Sequence, residues 1–237
     1  VPEEFSLGLT EVTAAVSRTG LPANWHPFEI RSPGHTLEEH DRAMAEAWES
    51  LRARGLAGPE KLDIEVEQTL RAWTQPEVLI IVRAAEVTDG RQVFYRATIG
   101  HGLGVYSELL PDAINFVRIR PDHLVDALVG ILPRYGPLPV APVTSTQGPS
   151  RKPDTEALRA YAQWATHRHG TFELSTRLGQ GNLRPAGTVT FADTDGGRYL
   201  TFTEPLPGGE TRMKFVPSDG GHLREWLHER IEETTHR

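Results

Sequence analysis

The sequence predicts an α+β fold with antiparallel strands and a degenerate internal duplication. Hydrophobic periodicity switches from helical to strand-like and back on both sides of a proline-rich stretch, and the strands are joined by hairpin-length turns, which impose antiparallel pairing. The order helix, four strands, helix then occurs twice. With 237 residues the chain can bury a real core as one large domain or two small ones. We divide it into an N-terminal half, 1–132, a connector, 133–153, and a C-terminal half, 154–237, which together read as one compact domain.

The first half opens with helices. Residues Thr36 to Glu39 spell "TLEE", in which a Thr side chain and a Glu three residues later satisfy the free amides of a helix start. Leu37, Met44, Trp48 and Leu51 recur behind it at helical spacing, and Gly55 supplies the left-handed residue that ends such a helix. A second helix is predicted from Ile64 to Trp73, capped by Asp63, with Val66, Leu70 and Trp73 on one face and Pro76 beyond. From Glu77 the period changes. The run "VLIIV", 78–82, reads as a strand buried on both faces, and "TDGR", 88–91, carries the Asp-Gly hairpin signal. Strands follow near Gln92–Ile99, Gly104–Leu109 and Ile114–Ile119. Pro121 then starts a helix marked by Leu124, Leu128 and Ile131 and closed by Pro133.

The connector holds six prolines and no sustained period, so it reads as extended chain. Beyond it Asp154 is expected to cap a helix carrying Leu158, Tyr161, Ala162 and Ala165, with Gly170 as its terminator. Strands are expected near Thr171–Leu178, Gly187–Ala192, Arg198–Thr203 and Arg212–Val216, before a last helix with Leu223, Trp226, Leu227 and Ile231. The two halves align with Trp73 and Trp164 at the ends of equivalent helices. In that alignment "ATIGHGLGVY" falls opposite "ADTDGGRY". The glycines at 100, 102 and 104 lack the helix that a phosphate-cradling loop requires, so they read as a hairpin turn between strands.

Composition excludes several kinds of chemistry. Cysteine is absent, which removes disulfides, a thiol nucleophile and any Cys-based zinc site. The net charge of −7 opposes nucleic-acid binding, and no apolar run approaches the ~20 residues of a membrane-spanning helix. The first residues show neither a basic region nor a secretory apolar core, so the cytoplasm is the expected location. Asp193, Asp195 and Glu204 sit where a calcium loop places its first, third and twelfth ligands, but the required turn glycine is replaced by Arg198. His167 with His169, and His222 with His228, lack the spacing of a helical zinc motif, and the first pair is expected at a helix C-terminus. No nucleophile elbow and no Walker loop occur. We therefore expect no metal and no cofactor, and no catalytic residues have a sequence signal, although a convergent active site of distant residues stays open to this argument. Trp48, Trp73, Trp164 and Trp226 lie on or beside apolar helix faces and are expected in cores.

The second sheet carries the more informative pattern. Phe172, Leu174, Val189, Phe191, Leu200, Phe202, Met213 and Phe215 alternate with Glu173, Ser175, Thr188, Thr190, Tyr199, Thr201, Arg212 and Lys214, so we expect one apolar and one polar face. The polar face, with Thr188, Thr190, Tyr199 and Thr201, suits a wet protein interface. It also suits an ordinary solvated sheet face.

The sequence resembles a known family in the order of "LRARGL" and "TLRAWTQPEV", "FVRIRPDHLVDALVGILP", the proline-rich connector, and "VTFADTDGGRYLTF" before the final helix. From about Phe5 to Glu233 it is similar to the EspG proteins, cytosolic chaperones of type VII (ESX) secretion systems. The resemblance implies a central antiparallel sheet flanked by two helical bundles with pseudo-twofold symmetry. It implies binding of the tip of a PPE protein within a PE–PPE heterodimer, which is kept soluble and presented to the secretion machinery without catalysis. It also implies a client-binding role for the hairpin loop Glu86, Val87, Thr88, Asp89 and Arg91. The protein is expected to be a monomer or weak homodimer. The competing expectation is an enzyme or sensor holding a small ligand in a cleft between the two halves.

Overall fold

The computed structural model describes residues 3–149, 155–177, 179 and 181–235. Contacts divide the chain into two compact units, Val1–Leu79 with Phe94–Leu124, and Ile80–Val93 with Val125–Arg237. This division follows contact density, whereas the division into 1–132 and 154–237 follows element order. The tip of the first hairpin thus counts with the second unit.

In the first unit, strand β1 (Glu4–Gly8) runs directly into helix α1 (Leu9–Thr19), followed by α2 (Leu37–Ala53) and α3 (Ile64–Thr74). The Glu11 carboxylate accepts the Gly8 amide at 2.8 Å, which closes the start of α1. Thr36 and Glu39 form the expected reciprocal cap of α2, and the Asp63 side chain accepts the Glu65 amide at 2.9 Å at the start of α3. Strands β2 (Val78–Glu86), β3 (Gln92–Gly100), β4 (Leu103–Leu109) and β5 (Ala113–Ile119) follow. Within the unit the strand order is β1-β5-β4-β3, and its ladders are antiparallel. The apolar faces of α1, α2 and α3 close over this sheet. Trp73 is fully buried and meets Phe116 edge-on at 5.1 Å, and Leu51, Leu70 and Val105 belong to the same buried cluster. Trp48 is buried as expected, but Leu37 is 76% exposed because it occupies the first helical position, off the core stripe.

The second unit contains α4 (Leu124–Gly130, its first residue counted with the other unit), β6 (Val143–Gln147), α5 (Thr155–Ala162), β7 (Thr166–Arg177), β8 (Leu183–Thr194), β9 (Gly197–Pro205), β10 (Thr211–Pro217) and α6 (Gly221–Thr235). Its strand order is β2-β7-β8-β9-β10-β6, β2 contributing Ile80 onward. The buried side consists of Phe172, Leu174, Val189, Phe191 and Leu200, with Leu223 and Leu227 of α6 also buried.

Four expectations are corrected here. The stretch predicted as extended connector contains β6, which pairs with β10 from Val143 opposite Phe215 to Gln147 opposite Thr211. Helix α5 ends at Ala162, not at Gly170, so Trp164 lies beyond the helix and the "HRH" residues stand in β7 rather than at a helix end. Gly170 is a buried strand residue with a packing role: a Cβ there would stand 2.2 Å from the Arg83 carbonyl and 2.6 Å from the Phe191 ring. Trp164 and Trp226 are half-buried, not core residues. The expected Asp154 cap and the end of a strand at Leu178 lie outside the described residues.

The fourth correction concerns faces. Residues directly opposite in a ladder share a face, and β10 pairs with β9 so that Phe215 faces Thr201, Met213 faces Thr203, Lys214 faces Phe202 and Arg212 faces Glu204. Relative to the expected grouping, β10 is turned over: Met213 and Phe215 join the threonine face, and Arg212 and Lys214 join the face of Phe202. A one-residue shift of register exchanges every side chain between faces.

Candidate partner-binding surface

The loop between β2 and β3 is an ordered hairpin. The Glu86 amide donates to the Arg91 carbonyl at 2.9 Å and the Gly90 amide to the Glu86 carbonyl at 3.0 Å. The Asp89 carboxylate accepts the Arg91 amide at 2.9 Å, and Gly90 takes the left-handed conformation at φ 69° that the Asp-Gly signal anticipates. The loop is also tied to β7, since the Val87 amide donates to the His167 carbonyl at 2.7 Å. Glu86 lies at the base of the loop, 3.5 Å from the buried Arg168 and 3.8 Å from the exposed Arg91. Of the five predicted loop residues, Glu86 and Asp89 thus have their carboxylates engaged within the hairpin. Val87 is 52% exposed, one of the few large apolar side chains in solvent.

Of the predicted sheet-face residues, Thr190 and Thr201 stand in one continuous row, while Thr188 lies opposite Glu173 and Tyr199 opposite Ala192. Thr171, Thr190, Thr201, Phe215 and Val143 stand opposite one another across β7, β8, β9, β10 and β6. Thr188 and Thr190 are exposed, while Thr201 and Tyr199 are half-buried. Tyr161 of α5 covers one end of the row, its ring 5.1 Å from that of Tyr199 and 5.4 Å from that of Phe215. The Tyr161 hydroxyl donates to the Ala141 carbonyl at 2.9 Å. Burial pushes the Tyr199 phenol up, and burial with the neighbouring Tyr199 does the same for Tyr161. The face is therefore graded: threonines open to water on β8, aromatic rings covered by a helix toward β10. The sequence missed that grading, and the signal that could have found it was the apolar parity of "RMKFV", which is ambiguous until its partner strand is known.

The other singled-out side chains are engaged locally. Asp193 is fully buried against Arg198, the Asp195 carboxylate accepts from His167 Nε2 at 2.6 Å, and Glu204 pairs with Arg212 at 3.2 Å. Among the described residues no three His, Asp or Glu side chains gather as a metal-binding group, and no helix is long and apolar enough to cross a membrane.

Helices and antiparallel ladders in two units, with an ordered exposed loop and a hydroxyl-rich sheet face, define an α+β protein. The chain belongs to the EspG family, whose family model matches residues 9–229. Among solved structures it is similar to the type VII secretion system chaperone EspG5 of Mycobacterium tuberculosis, determined in complex with a PE25–PPE41 dimer, at a TM-score of 0.67. That match covers 98% of this chain and 96% of the other at 11% identity, and it bears out the α+β fold with its large antiparallel sheet. No curated protein matches the sequence.

Proposed function

We propose that this protein is a secretion chaperone that binds the tip of a PPE protein in a PE–PPE heterodimer, keeps the pair soluble and presents it to a type VII secretion system. The observation that carries the proposal is family membership over residues 9–229 together with a fold shared along 98% of the chain with a chaperone solved on such a dimer. The action is noncatalytic and takes place in the cytoplasm, with the protein as a monomer or weak homodimer. Covering an apolar client tip lowers its free concentration by mass action. The docking surface comprises the loop from Glu86 to Arg91 and the sheet face at Thr188, Thr190, Tyr199 and Thr201. Within it Val87 supplies the apolar contact, because a few well-packed side chains dominate an interface. Glu86 and Asp89 hold the loop in shape, and Arg91 supplies charge at its rim.

Calorimetric titration with a cognate PE–PPE pair tests the proposal. Val87→Asp should weaken capture by about tenfold or more, roughly 1.4 kcal/mol, with an unchanged thermal melt because the position is exposed. Thr190→Arg should also weaken it. Full affinity in both variants would remove this surface from the docking site, and absence of binding by the parent protein would reject the chaperone function.

A further inference from the structure

A second surface lies on the opposite side of the β8–β10 sheet from the threonine row, and of its lining residues the client proposal uses Thr188 alone. There a groove of about 430 Å³ opens between α6 and the ends of β8, β9, β10 and β6. Its floor is aromatic, with Phe202 and Trp226 in ring contact at 6.3 Å. The indole lies against the backbone of Gly187, where a Cβ would stand 2.7 Å from it, so this strand residue leaves space for the ring. The rim is cationic. Arg212, Lys214 and Arg230 line the groove against a single carboxylate, Glu204.

The cation at the centre is Lys214. It stands on β10 between Phe202 of β9 and Thr144 of β6, an aromatic ring on one side and a hydroxyl on the other. Among the described residues it has no ion-pair partner, whereas Arg212 is held by Glu204 at 3.2 Å. Arg230 is likewise held, by Glu233 at 3.0 Å, so three cations and two acids leave a local excess of one positive charge, on Lys214, opposite in sign to the chain's net −7.

We propose that this groove binds an acidic polypeptide segment, with a carboxylate on Lys214 and an adjacent apolar side chain on the Phe202–Trp226 floor. The exposure of the rim decides between a peptide and a small ligand. The Arg212 and Arg230 side chains are 48% and 45% exposed, whereas a small-molecule site encloses most of its ligand. A half-open rim, with Arg212 and Arg230 already paired to Glu204 and Glu233, suits a segment that places one carboxylate on Lys214, runs on past the paired arginines and buries only one side chain.

The probe is a fluorescein-labelled octapeptide of glutamates around one phenylalanine, titrated by anisotropy against the intact protein. The same peptide with lysines in place of glutamates is the control. The glutamate peptide should bind, weaken as salt is raised, and lose about tenfold in affinity with Lys214→Glu, with a smaller loss for Lys214→Gln. Both variants should melt with the parent, since Lys214 is exposed. Equal binding of the lysine peptide, or undiminished binding by Lys214→Glu, would overturn the proposal. Full displacement by acetate at the peptide's own concentration would overturn it too, because the groove would then be a small-anion site.

Discussion

The β3–β4 hairpin of one unit and the β8–β9 hairpin of the other solve one problem in two ways. Each closes with a two-residue turn, His101–Gly102 between the paired Gly100 and Leu103, and Asp195–Gly196 between the paired Thr194 and Gly197. Each buries an arginine, Arg96 at 0% exposure and Arg198 at 1%. Opposite Arg198 stands Asp193, whose carboxylate takes the guanidinium at 2.5 and 3.0 Å, while a third bond runs to the Pro133 carbonyl at 2.8 Å. Opposite Arg96 stands Ser107, and among the described residues no carboxylate is bonded to it. Its guanidinium donates to the His26 carbonyl and, at 2.7 Å, to the Trp73 carbonyl, and lies 5.2 Å from the Trp73 ring. Burial without a counter-ion pulls Arg96 down to about 9. The comparison teaches that a buried cation can be accommodated by one opposite charge or by several neutral dipoles, and that the two arrangements fail differently. Loss of a single partner strands a charge in the first and only thins a set of acceptors in the second.

The largest effect should therefore come from Asp193. Asp193→Asn keeps the shape but removes the charge, and an unpaired buried cation costs about 3–5 kcal/mol. Replacing both members, Asp193→Leu with Arg198→Met, should cost clearly less than the single change, since an apolar pair leaves no stranded charge. Denaturant unfolding of the three proteins tests this. A single variant within 1 kcal/mol of the parent would break the comparison at its stronger end.

Arg96→Met should cost less, about 1–3 kcal/mol, the penalty for leaving buried acceptors unpaired, here the carbonyls of His26 and Trp73. Its pH dependence has a defined sign. The folded-state value lies below the ordinary 12.5, so between about 9 and 12.5 the unfolded chain holds more protons, and this group's contribution to stability increases with pH. Tyr106, Tyr161 and Tyr199 are pushed up by burial, so their contribution is lost as pH rises above their ordinary 10. Melting temperatures between pH 8 and pH 11 should thus fall more steeply for Arg96→Met than for the parent. A parallel fall would show that Arg96 keeps its proton throughout.

Local rules made much of this fold legible. The Thr36 and Asp63 caps, the buried "VLIIV" strand and the turns at Asp89–Gly90 and His101–Gly102 depend on residues within five positions of one another. What escaped depends on partners far away in sequence. Strand β1 runs into α1 through Gly8 alone, which ends the strand and caps the helix, so "EFSLGLTEV" changes period with no loop between the two elements. Strand β6 is polar and set among prolines, and only its pairing with β10 makes it a strand. The start of β7, "THRHG", has no apolar alternation because its inward residues are Arg168 and Gly170. In the candidate site the loop was legible through Asp-Gly, and β8 and β9 through their alternation, but the face of β10 was not, since parity within one strand does not say which set meets the neighbour. The buried Asp193–Arg198 pair carried a usable signal: two residues flanking a two-residue turn at equal remove stand opposite each other. Arg96 carried none.

The smallest prediction sharpens the comparison at the turns themselves. His101 has φ 54° and Gly102 φ 75°, so both central residues are left-handed, the conformation for which Asn-Gly is the favoured dipeptide. In the other hairpin neither Asp195 nor Gly196 has positive φ; that role falls to Gly197, at φ 132°. A Cβ on Gly196 would meet Trp164 at 2.6 Å, so its glycine answers to packing. His101→Asn should therefore stabilise by about 0.5 kcal/mol, because Asn tolerates the left-handed region better than His and nothing else at that turn is disturbed. Asp195→Asn should bring no gain, since that residue is not left-handed and the change weakens its 2.6 Å contact with His167. Paired urea titrations resolve a difference of this size when the slopes agree. Equal shifts in the two variants would mean that the turns are conformationally alike and that the contrast between the hairpins is confined to their arginines.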